Sequence, residues 1–159
     1  MIAYRSGGME HGDNDGAEWR KEITQWLNEC LEHNVIDPVI ESKKLITDHN
    51  AKYFRNWKES DPDRFIEFIR LAIKKDLDGV LKKADYIICL CDKSILIGGG
   101  THGEVTLAYY KRKPIYLVNH LPITDLSSWI MSCATDIIND FESLKKLLYH
   151  KYHNVNDRS

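Results

Sequence analysis

Two short apolar runs constrain the fold of this chain most: Tyr86-Ile87-Ile88-Cys89-Leu90-Cys91 and Ile115-Tyr116-Leu117-Val118. Neither alternates with polar residues. A strand with one wet face alternates with period two, so both faces of these two are expected to be covered. That is the signature of a parallel sheet between layers of helices. Residues 2–6 read as a first strand, broken by Gly7-Gly8, with turn chemistry at Asp13-Asn14-Asp15-Gly16. Residues 35–39 read as a second strand that Pro38 stops or pushes to an edge. Residues 136–138 read as a short edge strand.

Helical patterns fill the gaps. From about Ala17, the residues Trp19, Ile23, Trp26, Leu27, Cys30 and Leu31 recur at helical spacing. Residues 40–60 are polar with little periodicity and read as a long loop with room for a short helix, a kind of segment that is often functional. Asp61-Pro62 is a strong helix start, with Asp61 as cap and Pro62 in the first turn. This helix runs to about Lys83. Its stripe is Phe65, Phe68, Ile69, Ala72, Ile73, Leu77, Val80 and Leu81, and Asp76 falls on the same stripe. A helix to about Arg112, a loop over 119–125, a short helix over 126–133 and a final helix over 141–149 complete the pattern. The expectation is one α/β domain over residues 1–149, a five-stranded parallel sheet with helices on both faces, and a polar tail over 150–159.

Charge and cysteine usage narrow the function. Twenty-two basic residues against 24 acidic ones give a net charge of −2, which argues against a surface for polymeric nucleic acid or membrane. No apolar run approaches the ~20 residues of a membrane-spanning helix, and residues 1–6 lack the form of a signal peptide. Cys30, Cys89, Cys91 and Cys133 form no CxxC pair. Cys89 and Cys91 read as small buried hydrophobes. A reduced, cytoplasmic setting is the default expectation, and scattered histidines argue against zinc.

The chemistry concentrates at Gly98-Gly99-Gly100-Thr101-His102-Gly103-Glu104, between a strand and a helix. Three glycines allow close approach of a ligand to backbone amides. Glu104 near a helix start is favoured in its ionised form and could act as a nucleophile. Thr101-x-x-Glu104 is equally a capping box, and taken alone that reading wins. Ligands of parallel sheets bind beyond the carboxyl ends of the strands, which puts Ser6, Gly7, Gly8, Asp92 and the glycine loop on one rim. Singly, Asp92 reads as a turn residue, Tyr4 as core and Asp76 as half of an ion pair with a nearby Arg70, Lys74 or a distant lysine. Together, paired carboxylates and a tyrosine on one rim suit glycosidic-bond chemistry.

The chain resembles the nucleoside 2-deoxyribosyltransferase superfamily, which includes nucleoside 5′-monophosphate N-glycosidases. The resemblance rests on Ile2-Ala3-Tyr4 before a glycine turn, Lys75-Asp76-Leu77, Ala84-Asp85-Tyr86-Ile87-Ile88, Gly100-Thr101-His102-Gly103-Glu104-Val105 with Ala108 and Lys113-Pro114, and Leu126-Ser127-Ser128-Trp129. It implies a flavodoxin-like or Rossmann-like sheet and a homodimer or higher oligomer whose site is completed by a neighbouring subunit. It implies no cofactor or metal, and a nucleoside or nucleoside monophosphate as substrate. Glu104 would attack C1′, Asp76 would bind sugar hydroxyls or assist the base, and Tyr4 would orient Glu104. Asp92 would help protonate the leaving base. Asp125 stands where transferases of the family can carry an asparagine. Ser6, Gly7, Gly8, Gly98, Gly99, Gly100 and Thr101, helped by Arg5 or His102, would hold a phosphate or sugar. Trp57 or Trp129 would offer a stacking surface, while Trp19 reads as core. On this reading Glu104 faces the pocket and does not close onto Thr101.

Two other readings compete. The lysine-decarboxylase-like phosphoribohydrolases carry PGGxGTxxE, but here Ile97 replaces the proline and one residue between the glycines is missing. A nucleotide-sensing module would keep the loop without turnover.

Overall fold

A computed structural model describes residues 1–8 and 17–156. Five parallel strands, β1 (Ile2–Ser6), β2 (Asn34–Ile36), β3 (Tyr86–Cys91), β4 (Ile115–Asn119) and β5 (Asp136–Ile138), form one sheet in the order β2-β1-β3-β4-β5. This is an α/β fold of the flavodoxin-like kind. The two apolar runs are its central strands, and β3 is buried along its whole length. The expected turn at 13–16 lies outside the described residues.

Helices cover both faces. On one face α1 (Ala17–Leu31) and α7 (Phe141–Asn156) bury Ile23, Leu27, Leu144 and Leu148 against Tyr86, Ile88, Tyr116 and Val118. On the other, α5 (Gly100–Tyr110) and α6 (Ser128–Cys133) bury Val105, Ala108 and Ile130 against Ile87, Cys89, Ile115 and Leu117. The alternation of β1 divides its side chains between these layers: Ala3 packs with α1, and Tyr4 with α5. Among the described residues, no helix is long and apolar enough to cross a membrane.

The structure departs from the sequence reading in four places. Residues 38–60 are mostly helical, as α2 (Pro38–Asp48), a 3₁₀ turn Phe54–Asn56 and α3 (Trp57–Ser60). Pro38 does not end a strand; it opens α2, and Asp37 caps it by accepting from the Val39 amide at 3.0 Å. Cys30 and Ile73, both on apolar stripes, are exposed. The tail expected from His150 continues α7 to Asn156, because Tyr152 still packs on the sheet, its ring stacked on Tyr86 at 5.2 Å and its hydroxyl 2.7 Å from that of Tyr116.

The longest helix follows its sequence signals. Asp61 accepts from the Arg64 amide at 3.2 Å and Pro62 starts α4 (Pro62–Asp78). A single π-helical turn, Gly79–Lys83, continues it. Gly79 packs against the Tyr4 ring, where an added Cβ would lie 3.1 Å from the nearest ring carbon.

Candidate active site

β1 and β3 are neighbours whose onward connections run to opposite sides of the sheet, through α1 to β2 and through α5 to β4. A crevice opens at such a switch point beyond the carboxyl ends of the strands. Tyr4 and Ser6 sit two residues apart on β1 and face the same side. Both hydroxyls donate to one carboxylate: Tyr4 Oη to Glu104 Oε1 at 2.6 Å, and Ser6 Oγ to Glu104 Oε2.

Glu104 is buried, 7 % exposed, and stands at the fifth position of α5, whose first residue is Gly100. Gly99 is the cap residue and contributes no side-chain bond. Thr101 lies inside the helix, so it cannot serve as the cap of a Thr101–Glu104 box. Tyr4 and Ser6 hold the glutamate instead.

Electrostatics separate the two carboxyl groups of the site. Burial pushes Glu104 upward, while the Ser6 and Tyr4 hydroxyls and then the charge of Arg20 pull it back. Asp76, on α4, is raised to about 7, by burial first and by the Glu104 charge second, with Lys75 opposing. Glu104 has two hydroxyl donors, and no hydrogen bond to the Asp76 carboxyl is found among the described residues. The two hydroxyls thus favour the ionised form of Glu104 against the upward push of burial, and no hydroxyl does the same for Asp76. Burial also raises Tyr4, which stays a neutral donor.

Both carboxyls border one cleft of about 660 Å³ between α4 and α5, walled by Ile69, Ile73, Leu77 and Leu107 and floored by Gly99, Gly100, His102 and Gly103. A Cβ added at Gly98, Gly99, Gly100 or Gly103 would meet nothing within 4 Å. Packing within the fold therefore does not require glycine at these positions. Gly8 differs: a Cβ on it would collide with Ser94.

Other expected residues lie elsewhere. Asp92 caps the 3₁₀ turn Lys93–Leu96, accepting from the Ser94 amide at 2.9 Å and from its hydroxyl. It is not among the residues bordering the cleft. Asp125 is exposed in the loop before α6, with Thr124 Oγ1 3.4 Å from its carboxylate. Arg5 is 2 % exposed and ion-paired to Asp37, so it does not face a ligand. Asp76 makes none of the expected ion pairs among the described residues. Trp57 packs edge-on to Phe68, away from the cleft, and Trp129 is exposed with its indole N–H on Thr106 Oγ1 at 2.8 Å. Trp19 is partly buried and stacks on Phe141.

The sequence reading missed two roles. Ser6 is expected among the ligand-binding residues, yet its place two residues after Tyr4 on a strand puts both hydroxyls on one face. Arg20 is buried behind β1, where its guanidinium donates to the carbonyls of Arg5 at 3.0 Å and Gly7 at 3.2 Å. It falls three residues before Ile23 and seven before Leu27, on the buried stripe of α1. Among the described residues no three His, Cys, Asp or Glu side chains gather around a common metal position.

Comparison with protein-family models yields no match, and comparison with curated proteins yields none.

Proposed function

We propose that this chain breaks the N-glycosidic bond of nucleosides or deoxynucleosides and transfers the sugar through a covalent glycosyl–Glu104 intermediate. The observation that carries the reading is the pair of hydroxyls, Tyr4 at 2.6 Å and Ser6, that fix a buried carboxylate beside an open cleft. A fixed, desolvated carboxylate is a competent nucleophile toward an anomeric carbon. Glu104 attacks C1′ as the C1′–N bond breaks. Asp76, protonated up to about pH 7, gives its proton to the departing base. A second base or a water then attacks C1′ and releases Glu104. The resemblance to the nucleoside 2-deoxyribosyltransferase superfamily points the same way. It brings with it a homodimer or higher oligomer that shares the site. Ile73, half-exposed beside the cleft, and exposed Trp129 are side chains that such a partner would cover.

One observation favours a 5′-monophosphate as substrate. The first turn of α5 carries no side-chain cap and borders the cleft beside His102. Uncapped helix amides are natural partners for a phosphate.

The test is incubation with a panel of nucleosides and 5′-monophosphates, with and without an acceptor base, followed by chromatography. Exchange of bases supports transfer, and hydrolysis confined to monophosphates supports the second reading. Binding without any release of base overturns both and leaves a sensing module.

A further inference from the structure

We propose that the cavity under residues 38–60 is a second binding site, distinct from the Glu104 cleft, for a small organic anion with an apolar body. This segment is polar in sequence, yet its helices turn apolar side chains inward over the first half of α4. The packing beneath them is sparse: the buried members of that cluster, among the described residues, are Leu45, Ala51 and Phe68. What remains is a cavity of about 550 Å³, within the range of small-molecule sites.

Its body is apolar. Val39 and Ile46 of α2, Phe54 of the 3₁₀ turn, and Phe65, Ile69 and Ala72 of α4 line it. The Phe54 and Phe65 rings are nearly parallel, 8° apart in plane with centroids 6.4 Å apart, and offer flat walls.

Its rim is cationic. Lys43, Arg55 and Lys58 border the cavity, and no carboxylate does among the described residues. None of the three is ion-paired among the described residues. The Arg55 guanidinium lies 5.1 Å over the Phe54 ring, which sets a positive charge against the apolar wall. An occupant therefore carries its negative group toward the rim and its apolar part inward. A cationic molecule finds no charge complement here. Ile69 borders both this cavity and the Glu104 cleft, so α4 is the shared wall.

The experiment is a fluorescence titration of the full chain with 8-anilinonaphthalene-1-sulfonate, an aromatic anion, followed by competition. Saturation at one probe per chain is expected, with displacement by decanoate or 2-naphthoate and not by decyltrimethylammonium. Reversing the exposed cations, Arg55→Glu with Lys58→Glu, is expected to weaken binding at least about tenfold. Ala72→Trp, which fills the cavity, is expected to abolish it. If thermal unfolding shows that this variant does not fold, the charge reversal carries the test alone. Glu104→Gln leaves the titration unchanged if the two sites are distinct. Loss of binding in Glu104→Gln overturns the proposal by assigning the probe to the cleft. Equal competition by the cationic amphiphile or by inorganic phosphate overturns it, as does binding indifferent to charge reversal or competition by neither carboxylate.

Discussion

The two sides of β1 solve opposite electrostatic problems. On the α5 side a buried carboxyl group, Glu104, is held by two neutral hydroxyls, and none of the described residues forms an ion pair with it. On the α1 side two buried cations, Arg5 and Arg20, share one carboxylate, Asp37, which reaches Arg5 directly and Arg20 at 3.8 Å. Burial lowers both guanidiniums, Arg5 to about 10, and Asp37 opposes the shift. Each side alone is unbalanced. Two guanidiniums behind the strand and two carboxylates, Asp37 and Glu104, balance across it, and Arg20 is felt at Glu104. A charge held at a distance stabilises an anion without covering it. Arg20 thus opposes the burial of Glu104 while leaving an open approach, which a direct salt bridge would block.

If that division holds, variants on the two sides fail differently. The largest effect belongs to Glu104→Gln, which keeps the shape and removes the proposed nucleophile. Base release should fall by at least about 10⁴-fold with the unfolding midpoint little changed. On the other side, Asp37→Ala strands two buried guanidiniums and removes the α2 cap. Chemical denaturation should register a loss of about 3–5 kcal/mol. Tyr4→Phe removes one charge-assisted bond to Glu104, of about 1.5–3 kcal/mol. Steady-state kinetics should show a drop in kcat of roughly 10- to 100-fold without unfolding.

The pH dependence sharpens the contrast between the two carboxyls. Asp76 is raised from an ordinary carboxylate value to about 7. Between those two values the folded chain binds a proton that the unfolded chain has released. Stability contributed by this group is therefore full below the unfolded value and declines as pH rises toward about 7. Activity that uses the Asp76 proton should instead hold over that range and fall as pH rises through about 7, where the folded chain releases the proton. A pH–rate profile and unfolding curves on Asp76→Asn should lose both features. The smallest effect is expected at Asp92→Ala: about 1 kcal/mol of stability from a lost cap, and only a few-fold change in turnover.

Much of the frame was legible because its signals are local. Apolar runs marked β3 and β4, and Asp61-Pro62 marked the start of α4. Asp37-Pro38 carries the same signal, but the β-branched residues before it concealed a helix start as the end of a strand. The inward face of residues 38–60 was hidden because two short helices and a turn share it, so no single period runs through the segment. For Glu104 the capping-box pattern was a true local match. The helix nevertheless starts one residue before Thr101; the family resemblance already named Tyr4 as the glutamate's partner, and the tertiary pairing of β1 with α5 adds Ser6. Arg20 illustrates the same limit: its position on a buried stripe was readable, but the charge that answers it, Asp37, lies on a different element.

The central claim is that Glu104 is the anion that bonds to sugar carbon. The most direct measurement is intact-protein mass spectrometry after incubation with a 2′-fluoro-arabinosyl nucleoside and its 5′-monophosphate. The fluorine beside C1′ slows the oxocarbenium-like steps, so a glycosyl ester accumulates. The expected result is a mass gain of one fluorosugar unit, mapped to the peptide bearing Glu104 and lost in Glu104→Gln. Release of base with no adduct on Glu104, or an adduct on Asp76 in its place, would contradict it.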